Sequence, residues 1–116
     1  MQNGIYHVRL SSSAGEAGEG LVVFSQGSLN GGDMGFLYIG HLTGSDEALS
    51  GKLTIKRWSP SQVPVFGALE SFDLQVRGHA TAKDSFTISG GISSQPDLTI
   101  TIVGRFLSAV DTTGAK

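Results

Sequence analysis

The sequence has no cysteine. Thiol catalysis, disulfide bracing and cysteine-ligated metal are therefore excluded, and with them the small secreted disulfide scaffold. Proline is scarce, with 3 residues in 116. The longest apolar runs, Leu21–Phe24 and Phe36–Ile39, fall far short of the ~20 residues of a membrane-spanning helix. Charge is scarce too, at 16% of residues, against roughly 25% in ordinary soluble domains. The 8 Lys+Arg against 10 Asp+Glu leave a net charge of −2, which argues against binding nucleic acid by neutralising phosphates. The first ten residues have no basic start leading into an apolar core and a cleavage site, so a secretory signal is not expected. A cytoplasmic location, with no membrane contact, is the expectation. The mean hydropathy of +0.06 is high for such a chain.

Glycine and strand-forming residues are abundant. The 17 glycines are about twice the usual ~7% share. They are scattered between runs rich in Val, Ile, Thr, Phe and Tyr, the pattern of consecutive antiparallel strands. Strands are predicted at about 4–12, 19–26, 34–43, 49–58, 70–79, 84–92 and 97–108. Alternation supports them. Tyr6, Val8 and Leu10 share a face opposite His7 and Arg9; Leu53 and Ile55 oppose Lys52, Thr54 and Lys56. Phe72, Leu74 and Val76 oppose Asp73, Gln75 and Arg77, and the segments around Phe86–Ile88 and Leu98–Ile102 alternate likewise. One apolar and one polar face is what an antiparallel sheet wetted on one side requires. Leu21-Val22-Val23-Phe24 and Phe36-Leu37-Tyr38-Ile39 are apolar on both faces, which calls for a covering loop or a subunit interface. Residues 59–69 hold two prolines and a glycine and are expected to form an extended connection rather than a long helix.

A meander of seven or eight strands with short links favours closure into an antiparallel up-and-down β-barrel, because closure removes unpaired edges. Glycines inside strands, at Gly40, Gly78, Gly90 and Gly104, suit its sharp bends. A single all-β barrel domain is expected over 1–110, with a flexible tail over 111–116. About eight strands leave room for packed side chains or one small ligand.

Catalytic signals are weak. There is no Gly-x-Ser-x-Gly elbow between strand and helix. His7, His41 and His79 lack metal-ligand spacing. The glycines of 15–20 and 31–32 lie beside acidic residues and open no helix, so they read as turns rather than a phosphate loop. Tyr6 and Tyr38 sit on apolar faces, where a phenol needs a hydrogen-bond partner or serves a ligand. Trp58 ends a strand, as an interface anchor or a cap on the core. Ser45-Asp46-Glu47 is expected at a hairpin tip, solvated or offered to a basic partner.

Several of these elements together resemble a family, the negative regulators of type III secretion known as GrlR. The likeness is carried by Gly4-Ile5-Tyr6, Gly18-Glu19-Gly20-Leu21, Gly27, Gly31-Gly32-Asp33 and Tyr38-x-Gly40-x-Leu42. It is strongest over 4–58 and continues through Val63-Pro64, Phe72-x-Leu74 and Gly104-Arg105. The resemblance implies a lipocalin-like (calycin-like) barrel, a homodimer, and an apolar cavity for a lipid-like molecule. It also implies sequestration of a transcriptional activator without direct nucleic-acid contact. In the family an acidic Glu-Asp-Glu-Asp stretch serves activator binding; here Ser45-Asp46-Glu47-Ala48 stands in that place, with two of the four acids.

The resulting expectation is a non-enzymatic dimeric barrel that regulates by protein contact, without cofactor or metal. Asp46 and Glu47 are the candidate partner contacts; Val22, Leu37 and Ile39 are the candidate dimer residues. Tyr6, Val8, Phe36, Tyr38, Leu53, Ile55, Leu74 and Ile100 are the candidate cavity lining. The alternatives are a carrier or sensor of a small hydrophobic ligand unrelated to type III secretion, and a barrel enzyme using Tyr6 or Tyr38 as acid or base.

Overall fold

A computed structural model describes residues 1–13, 15–59, 71–82, 84–92 and 95–114. The expected extended connection falls almost wholly on residues 60–69, outside the described residues, as does the Val63-Pro64 part of the resemblance. Among the described residues there is no helix. Eight strands follow one another: β1 (Gly4–Ser12), β2 (Gly15–Ser25), β3 (Ser28–Gly32), β4 (Phe36–Ser45), β5 (Ala48–Arg57), β6 (Ser71–Ala82), β7 (Ser85–Ile92) and β8 (Gln95–Ser108). Each pairs antiparallel with the next, and β8 pairs with β1 to close the barrel. The all-β, up-and-down barrel expected from the alternation is thus the observed fold.

The strand absent from the sequence reading is β3. Its five residues, Ser-Leu-Asn-Gly-Gly, carry a single large apolar side chain, Leu29. What forms it is the turn before it. Gln26 and Gly27 both take positive φ, 48° and 91°, between the paired Ser25 and Ser28. Positive φ at both central residues is the two-residue type I′ hairpin, whose twist matches the flanking strands.

Register fixes which side chains point inward. Tyr6, Val22, Gly31, Tyr38, Ile55 and Phe72 are successive cross-strand partners, one row around the inside of the barrel. The next row, His7, Leu21, Gly32, Leu37, Lys56 and Ser71, lies outside. Val22, expected at a dimer surface, is therefore an interior residue, 2% exposed. The outward members of its run are Leu21 and Val23. A side-chain period of two leaves no other arrangement once Tyr6 faces in.

Among the described residues, twenty buried apolar side chains fill the interior as one cluster. Inward glycines make this possible in a narrow barrel by sitting opposite large side chains. Gly104 faces Phe86: a Cβ there would run into the aromatic ring, with Phe86 Cδ2 at 2.7 Å.

Candidate functional site

The barrel has two dissimilar ends. At one end the β2–β3, β4–β5 and β6–β7 turns gather around the start of β1. Tyr6 closes the interior there. Its ring meets Phe86 and Phe106 edge-on at 5.5 Å, and its hydroxyl donates to the Gln2 carbonyl at 2.6 Å. At the other end lie the β3–β4 turn and Trp58. Tyr38 closes the interior on that side, and its hydroxyl donates to Asp33 Oδ2.

Asp33 organises this second end. Its Oδ1 accepts the Gly35 and Phe36 amides, each at 2.8 Å, which fixes the turn into β4. Its amide donates to the Phe36 carbonyl at 2.9 Å. Its own carbonyl accepts the Trp58 indole N–H at 3.0 Å. The glycines around it need to be glycines. A Cβ at Gly18 would lie 3.3 Å from Asp33 Oδ2, and one at Gly20 would lie 2.9 Å from the Gly32 carbonyl carbon and 3.1 Å from Asp33 Cβ. The dispersed elements Gly18-Glu19-Gly20, Gly31-Gly32-Asp33 and Tyr38 thus converge on one corner of the barrel. Their convergence was not visible in the sequence. The available signal was an Asp two residues before a glycine at the head of an alternating strand, the pattern of a side chain closing its own turn.

Both phenols are held protonated. Burial raises the Tyr6 pKa above the usual tyrosine value. Burial raises Tyr38 further, and the Asp33 carboxylate that accepts its proton acts in the same direction. A phenol in that position is not poised to exchange a proton near neutral pH.

Above the Asp33 corner, a surface groove of about 580 Å³ runs between Glu19, Leu21, Met34 and Trp58. Trp58 is half-exposed and caps the corner through its indole N–H. The outer face of β2 and β4 continues from this groove as an apolar patch. Leu21 and Ile39 are 51% and 45% exposed, with Val23 and Leu37 beside them. Gly32 separates Leu21 from Leu37 in the register, so no side chain stands between these two leucines.

The hairpin between β4 and β5 has Asp46 and Glu47 as its two tip residues, between the paired Ser45 and Ala48. Both are exposed. They are not equivalent: Asp46 Oδ1 pairs with the Met1 ammonium, and its carbonyl accepts the Ala80 amide at 2.7 Å. The eight residues expected to line the interior all point inward and are at most 4% exposed. Leu37 and Ile39 point outward, as expected of them.

Among the described residues no group of three or more metal-ligating side chains gathers, and no helix is long and apolar enough to cross a membrane.

A family model described as the type III secretion system negative regulator GrlR matches residues 1–110. No curated protein matches the chain.

Proposed function

We propose that this chain, which belongs to the GrlR family of type III secretion negative regulators, acts in the cytoplasm by binding a protein, without catalysing a reaction or touching DNA. The partner is a transcriptional activator, and the contact is the β4–β5 hairpin. The observation that carries this reading is the hairpin itself: two adjacent, exposed carboxylates occupy its two-residue turn. An exposed acidic tip steers and selects a basic partner segment. Glu47 is the freer of the two acids, since the Met1 ammonium already pairs with Asp46. The net charge of −2 fits a protein that leaves the nucleic acid to its partner. Against catalysis stand the two interior phenols, both protonated and both spent on hydrogen bonds.

The protein works as a homodimer in this reading. Leu21, Val23, Leu37 and Ile39 form the contact, an apolar surface of the kind that marks subunit interfaces, with the exposed Asn30 between Val23 and Ile39.

The test is charge reversal at the tip. Asp46→Lys with Glu47→Lys weakens capture of the activator by about tenfold or more, while the thermal midpoint stays near that of the parent. Unchanged capture removes the hairpin from the account.

A second reading is a carrier or sensor of a lipid-like molecule. It is favoured by the apolar interior of a closed eight-stranded barrel, a size that takes side chains or one small ligand. Native mass spectrometry separates the two: a reproducible bound lipid mass supports the carrier, and the bare polypeptide mass counts against it.

A further inference from the structure

The outer face of β6, β7, β8 and β1 differs in kind from the apolar face of β2 and β4. It holds three of the four arginines, Arg9, Arg77 and Arg105, and two of the three histidines, His7 and His79. The residues between them include Thr87, Ser89 and Thr101. The same outer face also carries exposed Asp73 on β6 and Asp97 on β8, so the excess of positive charge is local to the β8–β1 hollow around Arg9 and Arg105.

Register places the key groups. His7 stands opposite Arg105, and Arg9 opposite Val103. Arg9 and Arg105 are therefore diagonal neighbours on adjacent strands, a spacing that long side chains can bridge. Between these four side chains lies a hollow of about 470 Å³ floored by Gly104. The Gly104 Cα faces inward to Phe86 and leaves only backbone on the outside.

The charges in this hollow are unequal. Glu19 Oε2 lies 2.8 Å from His7 Nε2 and 3.8 Å from Arg9 Nη2. Its hydrogen bond to His7, together with the charges of His7 and Arg9, lowers the Glu19 pKa. Arg105 has no ion-pair partner among the described residues. Two guanidiniums on a diagonal, with one carboxylate to one side, leave a gap shaped for a second carboxylate.

We propose that the outer face of β8 and β1, centred on Arg9 and Arg105, is a docking surface for an acidic segment of a partner protein. One carboxylate of that segment sits across the hollow between the two guanidiniums, where planar, forked donors suit it. A further carboxylate along the segment reaches toward Arg77. The spread of arginines over several strands favours a chain of carboxylates over a single small anion. Glu19 acts as an internal competitor that partly masks Arg9 until the segment arrives. This surface is opposite in sign to the Asp46–Glu47 hairpin and does not rest on the reading of that hairpin.

The test uses the full chain and a blocked hexaglutamate peptide at low ionic strength, followed by amide chemical shifts and calorimetry, with inorganic phosphate as a second probe. Saturable binding with shifts centred on β1 and β8 is expected. Arg9→Gln with Arg105→Gln weakens it by about tenfold or more. Lys56→Gln, on the apolar side, leaves it unchanged. Glu19→Gln strengthens it about two- to threefold, because the competitor is gone. All of these side chains are on the surface, so the thermal midpoints stay close to that of the parent. Absence of saturable binding, equal weakening by Lys56→Gln, or no gain from Glu19→Gln overturns the proposal. Phosphate bound as tightly as the peptide overturns it in favour of a small-anion site.

Discussion

Replacing Asp33 with alanine isolates the corner where the glycines of β2 and β3 pack against the turn into β4. The substitution removes two amide hydrogen bonds, from Gly35 and Phe36, and the acceptor of the Tyr38 hydroxyl. Each amide bond to this half-buried carboxylate contributes about 1 kcal/mol, and a buried hydroxyl left without a partner costs about 1–3 kcal/mol. The sum is about 3–5 kcal/mol, a large share of the ~5–15 kcal/mol that holds a domain folded. Trp58 supplies the assay, since its indole donates to the Asp33 carbonyl; urea unfolding followed by its fluorescence reads the same corner. A second-site change sharpens the reasoning. In the Asp33→Ala background, Tyr38→Phe deletes the orphaned hydroxyl, so it is neutral or regains about 1 kcal/mol. In the parent the same change costs stability, because it strips a partner from Asp33. A loss below about 0.5 kcal/mol for Asp33→Ala, within the range of an ordinary surface substitution, refutes the view that this residue ties β3, β4 and Trp58 together. So does simple additivity of the two changes.

Three further outcomes follow from named contacts. Gly104→Ala overpacks the interior against Phe86 and destabilises by about 1–3 kcal/mol; Phe86→Leu in the same chain recovers part of the loss in thermal unfolding. Glu19 titrates below the usual 4.5 because His7 hydrogen-bonds to it, so its contribution to stability is present above that pH and is lost as the pH falls through the folded midpoint; His7→Ala moves the Glu19 carboxyl back toward 4.5 in an NMR titration. Leu21→Lys with Ile39→Lys places two charges in the apolar patch, and light scattering then reads a monomer mass with the thermal midpoint retained; a dimer mass in that variant assigns self-association to another surface.

Much of the barrel was legible because alternation reports burial directly. The inward rows of β1, β5, β6, β7 and β8 follow from residues such as Leu53, Leu74 and Ile100, each flanked by polar neighbours. Where both faces are apolar, parity has no polar reference to anchor it. Sequence alone therefore places Val22 at an outer surface, although it packs beside Tyr6 and Gly31. β3 escaped for a different reason: its pairing is dictated by the Gln26–Gly27 backbone conformation and by glycine close contacts, and neither leaves an apolar pattern. The hairpin tip at Asp46 and Glu47 was readable from local turn chemistry. Its pairing with Met1 was not, since that contact joins residues 45 apart in sequence, from the chain start to the β4–β5 turn. The Asp33 corner and the Arg9–Arg105 hollow likewise join residues distant in sequence, and only register brings them together.

The central claim is that this barrel regulates by holding a protein through its acidic hairpin. Affinity purification of the tagged chain from its native host, with the Asp46→Lys, Glu47→Lys variant in parallel, tests that claim most directly. The account predicts a DNA-binding activator that co-purifies in near-stoichiometric amount with the parent and is lost with the variant. An activator retained equally by both, or a chain that carries only a lipid-like molecule and no protein, contradicts it.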